Sequence, residues 1–191
     1  MKLRLFLFLF LACTLVTGSA MAQGCSTKPL QFPPSGGNDI GVPSGTCIAS
    51  LDSAGNQSGR LRWDNGGNGI LQLFDTDDGG QSLWCALQAG SCARGRILCL
   101  QQDGNAVIYT GSDCGGVGSD PDVGTALWAS NTSGNCGLFG NCTNEDTEEL
   151  FVQDNLSVNG VHIGEAAVIY NDTHQGSDEG RVLLWHSNSS D

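Results

Sequence analysis

The sequence predicts an all-β domain assembled from a threefold repeat, and three features carry that prediction. From about Thr46 onward, short apolar runs alternate with clusters of Gly, Asn and Asp, the pattern of strands joined by tight turns. No stretch of useful length repeats its apolar residues at the 3.6-residue spacing of an amphipathic helix. The runs also recur as three copies of one unit, each closing on Leu-Trp. A unit of that size cannot bury its own apolar face, so the three must close on one another.

The chain opens as a secretory signal. Lys2 and Arg4 form the charged start, residues 5–16 the apolar run, and Ala20-Met21-Ala22 the small-residue cleavage site before Gln23. Residues 1–22 are therefore expected to be removed, taking Cys13 with them. The apolar run is too short to span a bilayer, and no later segment approaches the needed length. Membrane insertion is not expected, and the location is secreted or extracellular (periplasmic in a bacterial host). Residues 23–45 include Phe32-Pro33-Pro34-Ser35-Gly36-Gly37, show no periodicity, and read as an irregular lead-in. The domain proper occupies 46–191, with repeats near 46–90, 91–135 and 136–191.

Each repeat is a strand, a turn, a strand ending in an aromatic, a Gly/Asp loop and a strand ending in Leu-Trp. The first copy uses residues 60–63, 70–75 and 82–86; the second 97–101, 106–109 and 126–130; the third 149–152, 167–171 and 183–187. Trp84, Trp128 and Trp185 fall at equivalent places. They are expected to share a core near a pseudo-threefold axis, with their indole N–H groups partnered.

Eight cysteines remain after the leader: Cys25, Cys47, Cys85, Cys92, Cys99, Cys114, Cys136 and Cys142. An even number in an exported chain favours disulfides. Spacing suggests Cys25 with Cys47, stapling the lead-in, and Cys136 with Cys142, closing a local loop; the other pairings stay open. There is no CxxC pair to hold zinc. Beyond the leader, Lys28, Arg60, Arg62, Arg94, Arg96 and Arg181 face all 20 acidic residues, a formal charge near −14. Such a surface repels phosphate, which excludes nucleic acid and anionic membranes as natural partners. Sequons at Asn56, Asn131, Asn141, Asn155, Asn171 and Asn188 matter only in a eukaryotic host.

The stretch around which the chain is organised is Leu100-Gln101-Gln102-Asp103-Gly104-Asn105-Ala106-Val107-Ile108-Tyr109. Gln101, Asp103, Asn105, Val107 and Tyr109 stand at i, i+2 spacing, which places them on one face of an extended strand. A hairpin loop through Gly104-Asn105-Ala106 would keep that parity, setting Asp103 opposite Val107 and Gln101 opposite Tyr109. Either way, four polar groups and a small apolar patch gather in a shallow spot. Asp103 supplies acceptors, Asn105 and Gln101 both kinds of partner, and the Tyr109 hydroxyl either, while Val107 offers an apolar contact. Vicinal sugar hydroxyls and a C–H face need those partners. A polar turn between two strands is the plain alternative.

Gln101-x-Asp103-x-Asn105-x-Val107-x-Tyr109 matches QxDxNxVxY in full, and Leu-Trp-Ala-Ser-Asn-Thr at 127–132 matches the segment that follows it. With the threefold repeat, these residues resemble the bulb-type mannose-binding lectins over roughly residues 46–191. The resemblance implies a β-prism II fold of three four-stranded antiparallel sheets around a pseudo-threefold axis, here with disulfides. It also implies that Asp103 and Asn105 hold O2 of mannose, Gln101 O3 and Tyr109 O4, with Val107 against the ring carbons.

The other repeats depart from the motif. In the first, Asp64 takes the Asp place, Arg62 the Gln place, Gln72 the Val place and Phe74 the Tyr place, with Gly66-Gly67-Asn68-Gly69 stretching the turn. In the third, Asp154, Val168 and Tyr170 match, Val152 takes the Gln place, the turn swells over 155–165, and only Asn159 could fold back as the Asn. Both sites are expected to be degenerate. One working site of millimolar affinity (about 4 kcal/mol) leaves a homodimer, a surface array or weak binding as the options.

Asp75-Thr76-Asp77-Asp78-Gly79-Gly80 lacks the ligands that a calcium loop needs, since Gly79 and Ala86 stand at two of them, and it reads as an acidic turn. His162, His174 and His186 have no partner nucleophile at a telling spacing, and chance carboxylate pairs on so acidic a surface carry little weight. The chain reads as a non-catalytic lectin for terminal α-mannose on glycans, with no metal and no cofactor. Rival readings are a lectin-like bacteriocin and a prism scaffold that has lost sugar binding.

Overall fold

Alternating burial along the strands decides which face of each sheet turns inward. The computed structural model describes residues 24–34, 37–64, 69–76, 80–115, 122–132, 147–172 and 181–187, and these contain strands but no helix. In chain order the strands are β1 (Leu30–Gln31), β2 (Ile40–Val42), β3 (Cys47–Leu51), β4 (Gln57–Asp64), β5 (Ile70–Asp75), β6 (Ser82–Cys85), β7 (Leu87–Gln88), β8 (Ser91–Cys92), β9 (Ile97–Leu100), β10 (Ala106–Tyr109), β11 (Ala126–Ala129), β12 (Thr147–Val158), β13 (Val161–Asp172) and β14 (Arg181–His186). They form three four-stranded antiparallel sheets, ordered β3-β4-β5-β6, β2-β9-β10-β11 and β1-β12-β13-β14, with β7-β8 as a small ribbon.

One expectation changes here. The lead-in is not wholly irregular: β1 completes the third sheet and β2 the second. Strands of two and three residues are too short to show a period. They are held by buried anchors, Phe32 at 2% exposure and Val42 at 5%. The Cys25–Cys47 disulfide forms as its spacing suggested, joined by Cys85–Cys92 and Cys99–Cys114. The signal segment and the Cys136–Cys142 pairing lie outside the described residues.

The inner faces merge into one core. Leu61, Trp63, Leu71 and Leu73 come from the first sheet, Leu98, Leu100, Ala106 and Ile108 from the second, and Leu150, Val152, Ala167 and Ile169 from the third. Leu73, Ile108 and Ile169 pair with Trp84, Trp128 and Trp185 respectively, and in each sheet the register shifts just after that pair, before Phe74, Tyr109 and Tyr170. The three half-buried indoles meet edge to face in a closed triangle, with centroids 5.4 to 5.8 Å apart. That is the arrangement the ring quadrupoles favour. Equivalent sequence places have become one shared contact.

Cys99 and Cys114 are 0% and 5% exposed and 15 residues apart. Closing a loop of that length restricts the unfolded chain by about 3 kcal/mol. Replacing both with serine is expected to cost about that much, read as a lowered urea midpoint with a somewhat steeper slope, because the freed unfolded chain exposes more surface.

The long β12–β13 hairpin leans on the first sheet through Glu165. Its Oε1 accepts from Ser50 Oγ at 3.1 Å, and Ser50 Oγ lies 2.8 Å from Ser58 Oγ. A Cβ at Gly59 would sit 1.3 Å from Glu165 Oε2, so only glycine lets the carboxyl in. Burial pushes the Glu165 carboxyl up; hydrogen bonds from Ser58 and Ser50 oppose the shift, and the charges of Asp154 and Asp75 add to it. A raised folded-state pKa means the folded protein holds this proton where the unfolded chain has lost it. Stability therefore falls as pH rises from the ordinary glutamate range through the raised value. Glu165→Gln is expected to be more stable than wild type near neutral pH, with the advantage shrinking toward about pH 4. Urea midpoints across that range check it.

Candidate functional site

The second sheet builds the site on its outer face. Gln101 N–H donates to Asn105 O at 2.9 Å and Gly104 N–H to Gln101 O at 3.0 Å. The turn therefore runs through Gln102-Asp103-Gly104, not through Gly104-Asn105-Ala106 as expected. Gly104 has φ 80°, a left-handed conformation that costs glycine little. The pairing moves with the turn: Val107 faces Cys99 and Tyr109 faces Ile97. Parity survives, so Gln101, Asn105, Val107 and Tyr109 still share a face.

Each polar group is held by named partners. Asp103 Oδ1 accepts from Asn105 N–H at 3.1 Å, and Asp103 is exposed. Asn105 Oδ1 accepts from Ser130 Oγ at 2.9 Å and from Thr132 N–H at 3.4 Å. A backbone N–H can only donate, so the amide is turned with Nδ2 away from this bonded side. Ser130 also accepts from Ala106 N–H at 2.9 Å, and Thr132 Oγ1 donates to Gly104 O. The buried Ser130 and Thr132 thus lock the turn against the end of β11. Gln101 Nε2 reaches the Tyr109 hydroxyl at 3.2 Å. That bond spans the row holding Cys99 and Val107, which are 0% and 2% exposed. Val107 is therefore the floor of the patch, and the open apolar contact expected of it is not present.

No family model, curated protein or solved structure matches this chain.

Register also revises the two sister sites. In the first sheet Arg62 pairs with Gln72 as Cys99 pairs with Val107, and Asp64 pairs with Ile70 as Gln101 pairs with Asn105. Asp64 thus stands in the Gln place and Arg62 in the Cys99 place. Arg62 Nη2 lies 3.1 Å from Asp64 Oδ2, and Arg60 lies over the Phe74 ring at 5.0 Å. In the third sheet Val152 pairs with Ala167 and is core, so it cannot hold the Gln place. Gln153 does: it pairs with Ala166, and the Tyr170 hydroxyl donates to its Oε1 at 2.8 Å. Val168 pairs with Phe151, whose ring stacks on Tyr170 at 5.4 Å. Asp154 Oδ2 is taken by Asn155 Nδ2 at 2.7 Å, and Ala166 stands where Asn105 does. Asn159, at φ 52°, belongs to the hairpin turn.

Two participants were not foreseen. Gln153 was signalled by the Leu150/Val152 alternation, which matches Leu98/Leu100 and makes the next residue outward. Asp39 had no local signal. It stands just before β2, with Oδ2 3.2 Å from Gln101 Nε2 and Oδ1 accepting from Gln102 N–H at 3.1 Å.

Proposed function

We propose that this chain is a secreted lectin of the bulb type with a β-prism II fold, binding terminal α-mannose on the outer face of its second sheet. The observation that carries the reading is the pairing of Asp103 with Asn105. Asp103 keeps Oδ2 as an acceptor while Asn105 is held with Nδ2 as a donor. One sugar hydroxyl can satisfy both, donating to the carboxylate and accepting from the amide. Gln101 and Tyr109, hydrogen-bonded to each other, lie along the same face for a second hydroxyl. The three sheets and the tryptophan triangle support the prism, and the disulfides suit an oxidising compartment.

The first sheet contributes no site in this reading, because Arg62 occupies Asp64 and Phe74 lacks a hydroxyl. The third keeps a Gln153–Tyr170 half without a counterpart of Asn105. One full site of millimolar strength serves best when several copies are presented together. A glycan array of the oxidised protein, with Asp103→Ala alongside, tests the reading. Signal on mannose-terminated glycans that the variant lacks supports it. Equal signal from both proteins refutes the site, and no signal from either favours a scaffold without sugar binding.

A further inference from the structure

We propose that Asp39 is the positioning residue of this site, forcing Gln101 to present its carbonyl oxygen and so admitting only a free hydroxyl there. The inference rests on the carbohydrate reading above.

A carboxylate only accepts hydrogen bonds. Gln101 must turn Nε2 toward Asp39 Oδ2, and the same nitrogen donates to the Tyr109 hydroxyl oxygen, both at 3.2 Å. Both amide hydrogens are thereby committed, which leaves Oε1 for a ligand. Because the Tyr109 oxygen accepts from Gln101, its own proton is left to give. Asp39 is anchored in turn by Gln102 N–H at 3.1 Å. Swinging it away would break that bond as well.

The third sheet provides the contrast. β1 pairs only Leu30 with Leu150 and Gln31 with Glu149, and the preceding Thr27-Lys28-Pro29 brings no carboxylate. There the glutamine is reversed toward its tyrosine: Tyr170 donates to Gln153 Oε1. The same pair of residue types takes opposite polarity in the two sheets, and Asp39 accompanies one of them.

The consequence is selectivity. A sugar hydroxyl against this half of the site must donate to Gln101 Oε1 and accept from Tyr109. A glycosidic oxygen or a fluorine at that carbon can accept but cannot donate. The site thus takes a hexose whose hydroxyl at that carbon is free, and rejects one linked or substituted there.

Asp39→Asn tests this at constant volume. The introduced amide gives its oxygen to Gln102 N–H and its nitrogen to Gln101, which reverses the Gln101 amide. Wild type and variant are titrated with methyl α-mannoside and its four monodeoxy-monofluoro analogues. In wild type, fluorine at the position facing Gln101 weakens binding about fivefold or more. In Asp39→Asn that penalty falls to about twofold or less, while the penalty at the position facing Asp103 stays. Asp39→Ala, which frees the amide without reversing it, falls between the two. Identical fluorine profiles in all three proteins overturn the proposal.

The Gln101 side-chain amide protons give a reading that needs no sugar. They are expected to exchange slowly in wild type and to move in both variants; unmoved signals overturn the proposal. If wild type binds no sugar yet these protons respond as described, the lectin reading has failed and the positioning role of Asp39 stands.

Discussion

Trp128→Ala is expected to lower the stability of the domain by about 3–5 kcal/mol, a large share of the roughly 5–15 kcal/mol that an ordinary domain has. Trp128 pairs with the fully buried Ile108 and meets Trp84 at 5.8 Å and Trp185 at 5.7 Å. Each indole belongs to a different sheet, so removing one leaves a void where all three sheets meet. Two edge-to-face contacts go with it, each worth about 0.5–1.5 kcal/mol beyond buried area. Trp84→Ala and Trp185→Ala should be similarly damaging, and any two together should cost less than the sum, because they share an edge of the triangle. Urea unfolding checks both statements. A loss under about 1 kcal/mol for any one of them would mean that the sheets are joined by other contacts.

Sugar binding should be lost, with the fold intact, in Asp103→Asn. The substitution keeps an oxygen to accept from Asn105 N–H, so the turn survives, but it replaces the open acceptor with a donor. A hydrogen bond to a charged group contributes about 1.5–3 kcal/mol, a factor of roughly 10 to 100. From a millimolar starting point the remainder is undetectable. Tyr109→Phe removes one proton donor and should cost less, about fivefold. Asp154→Asn in the third sheet should leave mannose affinity unchanged. Isothermal titration at high protein concentration separates the three. Full affinity in Asp103→Asn would show that the sugar lies elsewhere.

The strands and their threefold repetition were legible because they are local patterns. Alternation marks Leu98/Leu100 and Leu61/Trp63 as inward, and Leu-Trp marks each closing strand. That Gln101, Asn105, Val107 and Tyr109 share a face was also legible, since a turn of odd length, here Gln102-Asp103-Gly104, conserves the parity of i, i+2 spacing. What the sequence hid depends on pairing across distance. β2 meets β9 only after the chain has traversed the whole first sheet, so Asp39 reaches Gln101 across 62 residues. The sister sites were misaligned for a related reason. Matching Asp to Asp ignores turn length, whereas the sheet counts from the tryptophan-facing residue back to the turn. Counted that way, Gln153 replaces Val152 and Asp64 moves into the glutamine place. The buried state of Val107 was hidden too, because it follows from the Cys99–Cys114 pairing and from a hydrogen bond passing over that row.

Backbone amide shifts of the isotope-labelled, oxidised protein, followed while methyl α-mannoside is raised to tens of millimolar, show whether a hexose binds and where. Saturable changes confined to Asp39, Gln101, Asp103, Asn105 and Tyr109, with the first sheet silent, are what the proposed lectin reading predicts. A silent second sheet at that concentration, or changes centred on another face, would contradict it.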